Sequence, residues 1–174
     1  MNRPFYQKII ITALIILMAA AIYFVTVSSA GLPPLVASHF NASGVADGFM
    51  TKDNYTVTML AVSVGLPGFM AFVSLGLHKL PVSLINIPHR EYWLSPERHA
   101  DSIQTIKGFM DFLACILVVF LSYVHWLVVL ANAHQPPVLS GTGIYAGLIF
   151  LMLLIGIWSW VLIRAFHLND HPKN

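Results

Sequence analysis

The sequence predicts an all-α membrane protein with four transmembrane helices and a compact extracytoplasmic loop between the first and the second. Composition is the first reason: the 174-residue chain is 57% hydrophobic and only 9% charged, where soluble domains carry roughly 25% charged residues. A water-soluble fold could not hide that much apolar surface. Distribution is the second reason, because the apolar residues gather into four runs separated by polar segments. The third is charge placement. Of nine Lys and Arg, Arg3, Lys8, Lys79, Arg90, Arg98, Lys107, Arg164 and Lys173 fall on one side of a four-span arrangement. Lys52 alone falls on the other. Cationic loops stay in the cytoplasm, so both termini are expected there. A formal charge of +2 with no basic run longer than two residues excludes nucleic acid as a partner class.

Ile9 to Ala30 contains no charge, and at about 1.5 Å per residue it gives ~33 Å of helix, enough to cross the hydrocarbon. Its end, Ser28-Ser29-Ala30, has the small residues that signal peptidase accepts. The run exceeds the roughly 7 to 15 residues of a signal core, however, so it is expected to remain as an anchor. Pro33 and Pro34 then stop the helix. Between them and the next span lies the outer loop 31–54, where Asn41-Ala42-Ser43-Gly44 and Asp47-Gly48 supply turn chemistry. Leu35, Val36, Phe40, Phe49 and Met50 are spaced to pack onto the bundle mouth, with His39, Asp47 and Lys52 facing water. The loop therefore reads as a folded cap.

Residues 55–77 form the second span, with Pro67 between Gly65 and Gly68 expected to kink it. The main polar loop of the other face covers 78–105. Within it Ser95-Pro96-Glu97 reads as N-cap, first-turn proline and first-turn acid, so a helix is expected from Pro96. That helix runs into the third span, 109–132, with Gly108 the one place a bend is cheap. Pro136-Pro137 marks a short turn. The fourth span, 143–163, opens with Gly143 and Gly147, a small-residue pair four apart that permits close helix contact. It closes with Trp158 and Trp160 ahead of Arg164, the order of a helix leaving a bilayer. The whole chain, 1–174, reads as a single four-span domain.

Two groups of residues could carry function. On the third span Lys107, Asp111, Cys115, Val118, Ser122 and His125 fall within a ~80° stripe. Intramembrane ionisable residues are candidates for proton or ion movement. The structural alternative, which the positions favour, pairs Asp111 with Lys107 four residues earlier or lets it reach the interface, and makes His125 a neutral helix-to-helix hydrogen bonder. In the outer loop, His39, Asp47 and Asp53 are too irregularly spaced for a metal site. His39 is expected to hydrogen-bond loop backbone, and Asp47 to accept local amide protons. No metal or cofactor is expected. Cys115, the single cysteine, reads as a packing residue. A nucleophile elbow, phosphate loop, HExxH or paired-cysteine motif is absent from the sequence, so an enzyme is not expected.

At Leu32-Pro33, His39-Phe40-Asn41, Gly44, Asp47-Gly48 and Lys52 the chain resembles a bacterial membrane domain-of-unknown-function family. That domain is similar to the N-terminal part of the SdpI-like toxin-immunity proteins. The resemblance covers about the first 77 residues; Thr51 stands where serine is usual before the lysine, and the chain is shorter than the immunity proteins. It implies a bacterial inner-membrane protein with a recognition loop in which His39, Asn41, Gly44, Asp47, Gly48 and Lys52 bind a ligand or organise the loop, and only weakly implies immunity. The first expectation is therefore a non-enzymatic protein whose loop 32–52 binds a peptide, a lipid or a partner subunit, with the bilayer and a membrane-protein partner or a second copy as its surroundings. A small transporter or proton-coupled channel built on the helical stripe is the alternative.

Overall fold

The computed structural model describes residues 3–168, with side chains from Tyr6 onward. Lys173 and the side chain of Arg3, both used in the charge argument, lie outside that description. Helix α1 spans Arg3–Ala30, and a two-stranded sheet follows, β1 Leu35–Phe40 and β2 Ala46–Thr51. Helix α2, Lys52–Leu60, continues through a π-helical turn, Ala61–Gly65, into α3, Leu66–Gly76. A short helix α4, Arg90–Trp93, precedes the 34-residue α5, His99–Asn132, and α6, Gly141–Ala165, completes the chain. Four helical segments, Tyr6–Ala30, Lys52–Lys79, His99–Asn132 and Gly141–Ala165, are long and apolar enough to cross a membrane. The protein is all-α with four spans and one small sheet.

Where the sequence predicts a kink at Pro67, the structure shows a π turn just ahead of it. Pro67 has no N–H to offer the carbonyl four residues earlier, and just ahead of it the ladder widens, the Leu66 amide reaching the carbonyl of Ala61. The fold absorbs the missing donor as a π turn. The helix expected from Pro96 begins at His99 instead. Ser95 still serves its start, but through its carbonyl, which accepts from the amides of Arg98 and His99 at 3.0 and 2.8 Å.

Three buried apolar clusters set the packing. At mid-depth Leu14 and Ala21 of α1 meet Ala114, Cys115 and Val118 of α5. At the hairpin end Leu32, Val36, Tyr55 and Val128 join the sheet to α2 and α5. At the other end Leu77, Ile85, Leu94 and Ile103 make the polar loop a folded plug, and within it His89 adopts a left-handed backbone with φ 51°. Helix α5 contributes to all three. It is the central column, and α6 leans on it from one side.

The α5–α6 contact depends on the glycine pair. A Cβ on Gly147 would stand 2.5 Å from the Tyr123 ring, and the Tyr123 hydroxyl donates to the Gly143 carbonyl at 2.8 Å. Trp158 does more than line an aromatic belt, because its indole N–H donates to the Phe109 carbonyl at 3.0 Å. Trp160 is the exposed ring, with the Arg164 guanidinium 5.0 Å above it.

Candidate functional site

The outer loop is a β-hairpin, and each polar residue singled out in the sequence has a definite place in it. The Asn41 side-chain oxygen accepts from the amides of Ser43 and Val45 at 2.9 and 3.1 Å, building the turn. Gly44 has φ +80°, which an L side chain rarely adopts, and a Cβ there would lie 2.5 Å from the Leu139 carbonyl oxygen. Glycine is required twice over at that position. Gly48 pairs with His39 across the ladder, and a Cβ on it would meet the His39 Cβ at 2.8 Å. The register shifts on both sides of His39, so a bulge turns His39 and Asp47 to the same exposed face. There His39 Nδ1 and Asp47 Oδ1 lie 2.5 Å apart. The two residues bond each other, and the backbone partners expected for them are replaced by this pair. Lys52 donates its backbone N–H to the Pro34 carbonyl at 3.0 Å and its ammonium to the Ala30 carbonyl at 3.4 Å, fastening the hairpin's base to the end of α1.

Asn132, the last residue of α5, moors the hairpin. Its side-chain oxygen accepts from the Ala37 amide at 2.8 Å, and its NH₂ group donates to the Ala37 carbonyl and to the Val128 carbonyl, each at 2.9 Å. Its side-chain amide thus imitates one rung of a third strand on the free edge of β1. Nothing in the local sequence marks Asn132 for this role, because its partner lies 95 positions away. The second outer loop joins as well: Val45 bridges to Val138, and the Leu139 amide donates to the Gly44 carbonyl at 2.8 Å. The cap is therefore built from both loops at this end of the bundle.

Beneath the cap lies a buried polar knot. The Ser28 hydroxyl donates to the Phe24 carbonyl at 2.6 Å, which leaves its lone pairs for His125 Nε2 at 2.7 Å. The Tyr55 hydroxyl then donates to Nδ1 at 2.8 Å. This set of partners is satisfied by a neutral imidazole protonated at Nε2. His125 is 0% exposed, stacked on Tyr55 and edge-on to Phe24. It ties α1, α2 and α5 together with both ring nitrogens occupied.

The rest of the helical stripe does not form a continuous polar path. Between Asp111 and His125 the buried positions include Ala114 and Val118, while Lys107 and Ser122 are half-buried. The Cys115 thiol faces the Ile10 carbonyl at 3.9 Å. Asp111 neither pairs with Lys107 nor reaches the interface. It is 2% exposed, with no ion pair among the described residues, and one carboxyl oxygen has no hydrogen-bond partner; the Ser74 hydroxyl is also buried without one. On the opposite side of the molecule from the cap, the fully exposed Glu97 carboxyl is held below its usual range, first by its own backbone amide and then by the Ser95 hydroxyl and the neighbouring Arg98 charge.

The chemistry available is limited. Among the described residues no three His, Cys, Asp or Glu side chains come together as a metal site. The His39–Asp47 pair has the orienting half of a catalytic triad, but His39 has no hydroxyl or thiol bonded to it. The hairpin also exposes two large apolar side chains, Phe49 (50% exposed) on β2 and Leu35 (59%) at its base. Comparison with protein-family models, curated proteins and solved structures finds no match for this chain.

Proposed function

We propose that this protein is a non-enzymatic recognition protein of a bacterial inner membrane, with both termini cytoplasmic and the hairpin facing outward. The occupant of the hairpin is a membrane-protein partner. The observation that carries the reading is the pairing of a rigid mount with an unneeded sticky face. Phe49 stands exposed two residues along β2 from Asp47, and Leu35 stands exposed at the hairpin's base opposite Thr51, while the backbone between them is clamped by Asn132 at Ala37. Exposed apolar side chains on a pre-organised hairpin suit an interface whose ordering cost has already been met. The resemblance of the loop pattern to SdpI-like proteins points the same way. Toxin protection is the more remote form of this proposal.

The test is copurification from native membrane with mass spectrometry, comparing the parent with Leu35→Ser plus Phe49→Ser. These side chains are exposed, so the bundle should stay assembled while the partner is lost. Recovery of the same proteins at the same yield from both would sink the proposal. The transport reading has one supporting observation, the buried Asp111 carboxyl, one of whose oxygens has no hydrogen-bond partner. Against it stand the apolar interruption of the stripe and the fully occupied His125. Loss of proton or ion flux in proteoliposomes on Asp111→Asn would favour transport instead.

A further inference from the structure

Between α1 and α6, with α5 as its floor, runs a long groove of graded polarity. Its outer part, about 510 Å³, is walled by Leu17, Phe120, Tyr123, Phe150 and Leu154. Phe112, Ile116 and Leu154 continue it into a second apolar stretch of about 410 Å³ lined also by Ile10, Ile157 and Val161. Ile10, Thr105, Gly108, Phe109 and Val161 carry that stretch into a wider mouth of about 970 Å³, where Gln7, Arg98, Asp101, Ser102 and Gln104 add polar groups to a lining that is still largely apolar. From Gly108 to Tyr123 the α5 floor rises about 22 Å, which exceeds the ~15 Å depth of one hydrocarbon leaflet. Polar groups confined to one wide end of an otherwise apolar groove match the shape of a single amphiphile.

The charge at the mouth selects its head. Arg98 is exposed, sits 4.1 Å over the Tyr92 ring and touches the Ser95 hydroxyl at 3.5 Å; the exposed Glu97 carboxylate feels its charge, but no carboxylate lies within ion-pair distance of it among the described residues. A guanidinium has five N–H donors in a planar fork suited to phosphate, so most of its donors are unclaimed. Asp101 shares the mouth and suits a headgroup that also carries hydroxyl donors.

We infer that the α1–α5–α6 groove is a binding site for one glycerophospholipid of the adjacent leaflet, its acyl chains along α5 and its anionic headgroup on Arg98. The full chain, purified in mild detergent and exchanged with phosphatidylglycerol or phosphatidylcholine, is to be examined by native mass spectrometry. The parent retains one phosphatidylglycerol per chain in preference to phosphatidylcholine, by about tenfold if one charge-assisted contact set decides it. Arg98→Gln, a change at an exposed side chain, brings the two lipids to equal retention. Leu154→Trp fills the groove and removes both, and Leu148→Trp, an exposed position on α6 outside the groove lining, serves as its control and retains the lipid. Equal retention of the two lipids by the parent would overturn the inference. So would loss on Leu148→Trp as readily as on Leu154→Trp, or a dimer without lipid in place of the one-to-one complex.

Discussion

At the scale of single residues the cap rests on Asn132. The amide of that side chain satisfies the Ala37 N–H and carbonyl together, and Asn132→Ala leaves both buried groups without partners. An unsatisfied buried group costs about 1 to 3 kcal/mol, so the variant, which orphans two, should weaken the hairpin by roughly 2 to 6 kcal/mol. The measurement is amide hydrogen exchange in micelles. Protection is expected to fall along Leu35–Thr51 and to persist through the middle of α5. Unchanged exchange at Ala37 would show that the apolar contacts of Val36 with Leu32 and Tyr55 hold the cap without Asn132. His125 was legible from the sequence as a hydrogen-bonded residue, because a neutral imidazole deep in a span must find partners. Which residues would meet it was not, since Ser28 lies 97 and Tyr55 70 positions away.

At the scale of elements, long apolar runs announce helices, and all four spans were readable for that reason. Their ends were less so. Pro96 carries an N-terminal signature, yet the turn from Ser95 to Arg98 forms first and the helix starts at His99, because tertiary contacts of Leu94 and Trp93 fix the chain there. The two strands escaped sequence reading for a different reason. Leu35–Phe40 and Ala46–Thr51 are short, and glycine and aspartate in the second dilute any alternation. The pairing that stabilises them also comes partly from a side chain on α5. Helix α6 offers the sharpest test at this scale. Gly147→Val pushes two methyl groups at the Tyr123 ring, an overpacking that costs about 1 to 3 kcal/mol. Thermal unfolding in micelles should register that loss. Adding Tyr123→Ala should make the glycine substitution cheaper than it is alone, and simple additivity of the two effects would refute a direct contact as the cause.

At the scale of the whole molecule the expected topology follows from where the cations lie. Reporter fusions after Asn132 and after Phe166 are expected to register outside and cytoplasm respectively, and an outside signal at Phe166 would reverse the orientation proposed here. The sequence made the layout of spans and loops visible, while the joining of the two outer loops at Gly44 and Leu139 arises only when the bundle closes. That joining has a consequence in time. The hairpin is synthesised long before Asn132, and chains grow at about 5 to 20 residues per second, so the 95 residues between Ala37 and Asn132 impose a delay of roughly 5 to 20 s. A lone two-stranded hairpin is marginally stable. The cap is therefore encoded early but finished late, and its exposed face takes its final form only on a chain whose helix α5 is already in place.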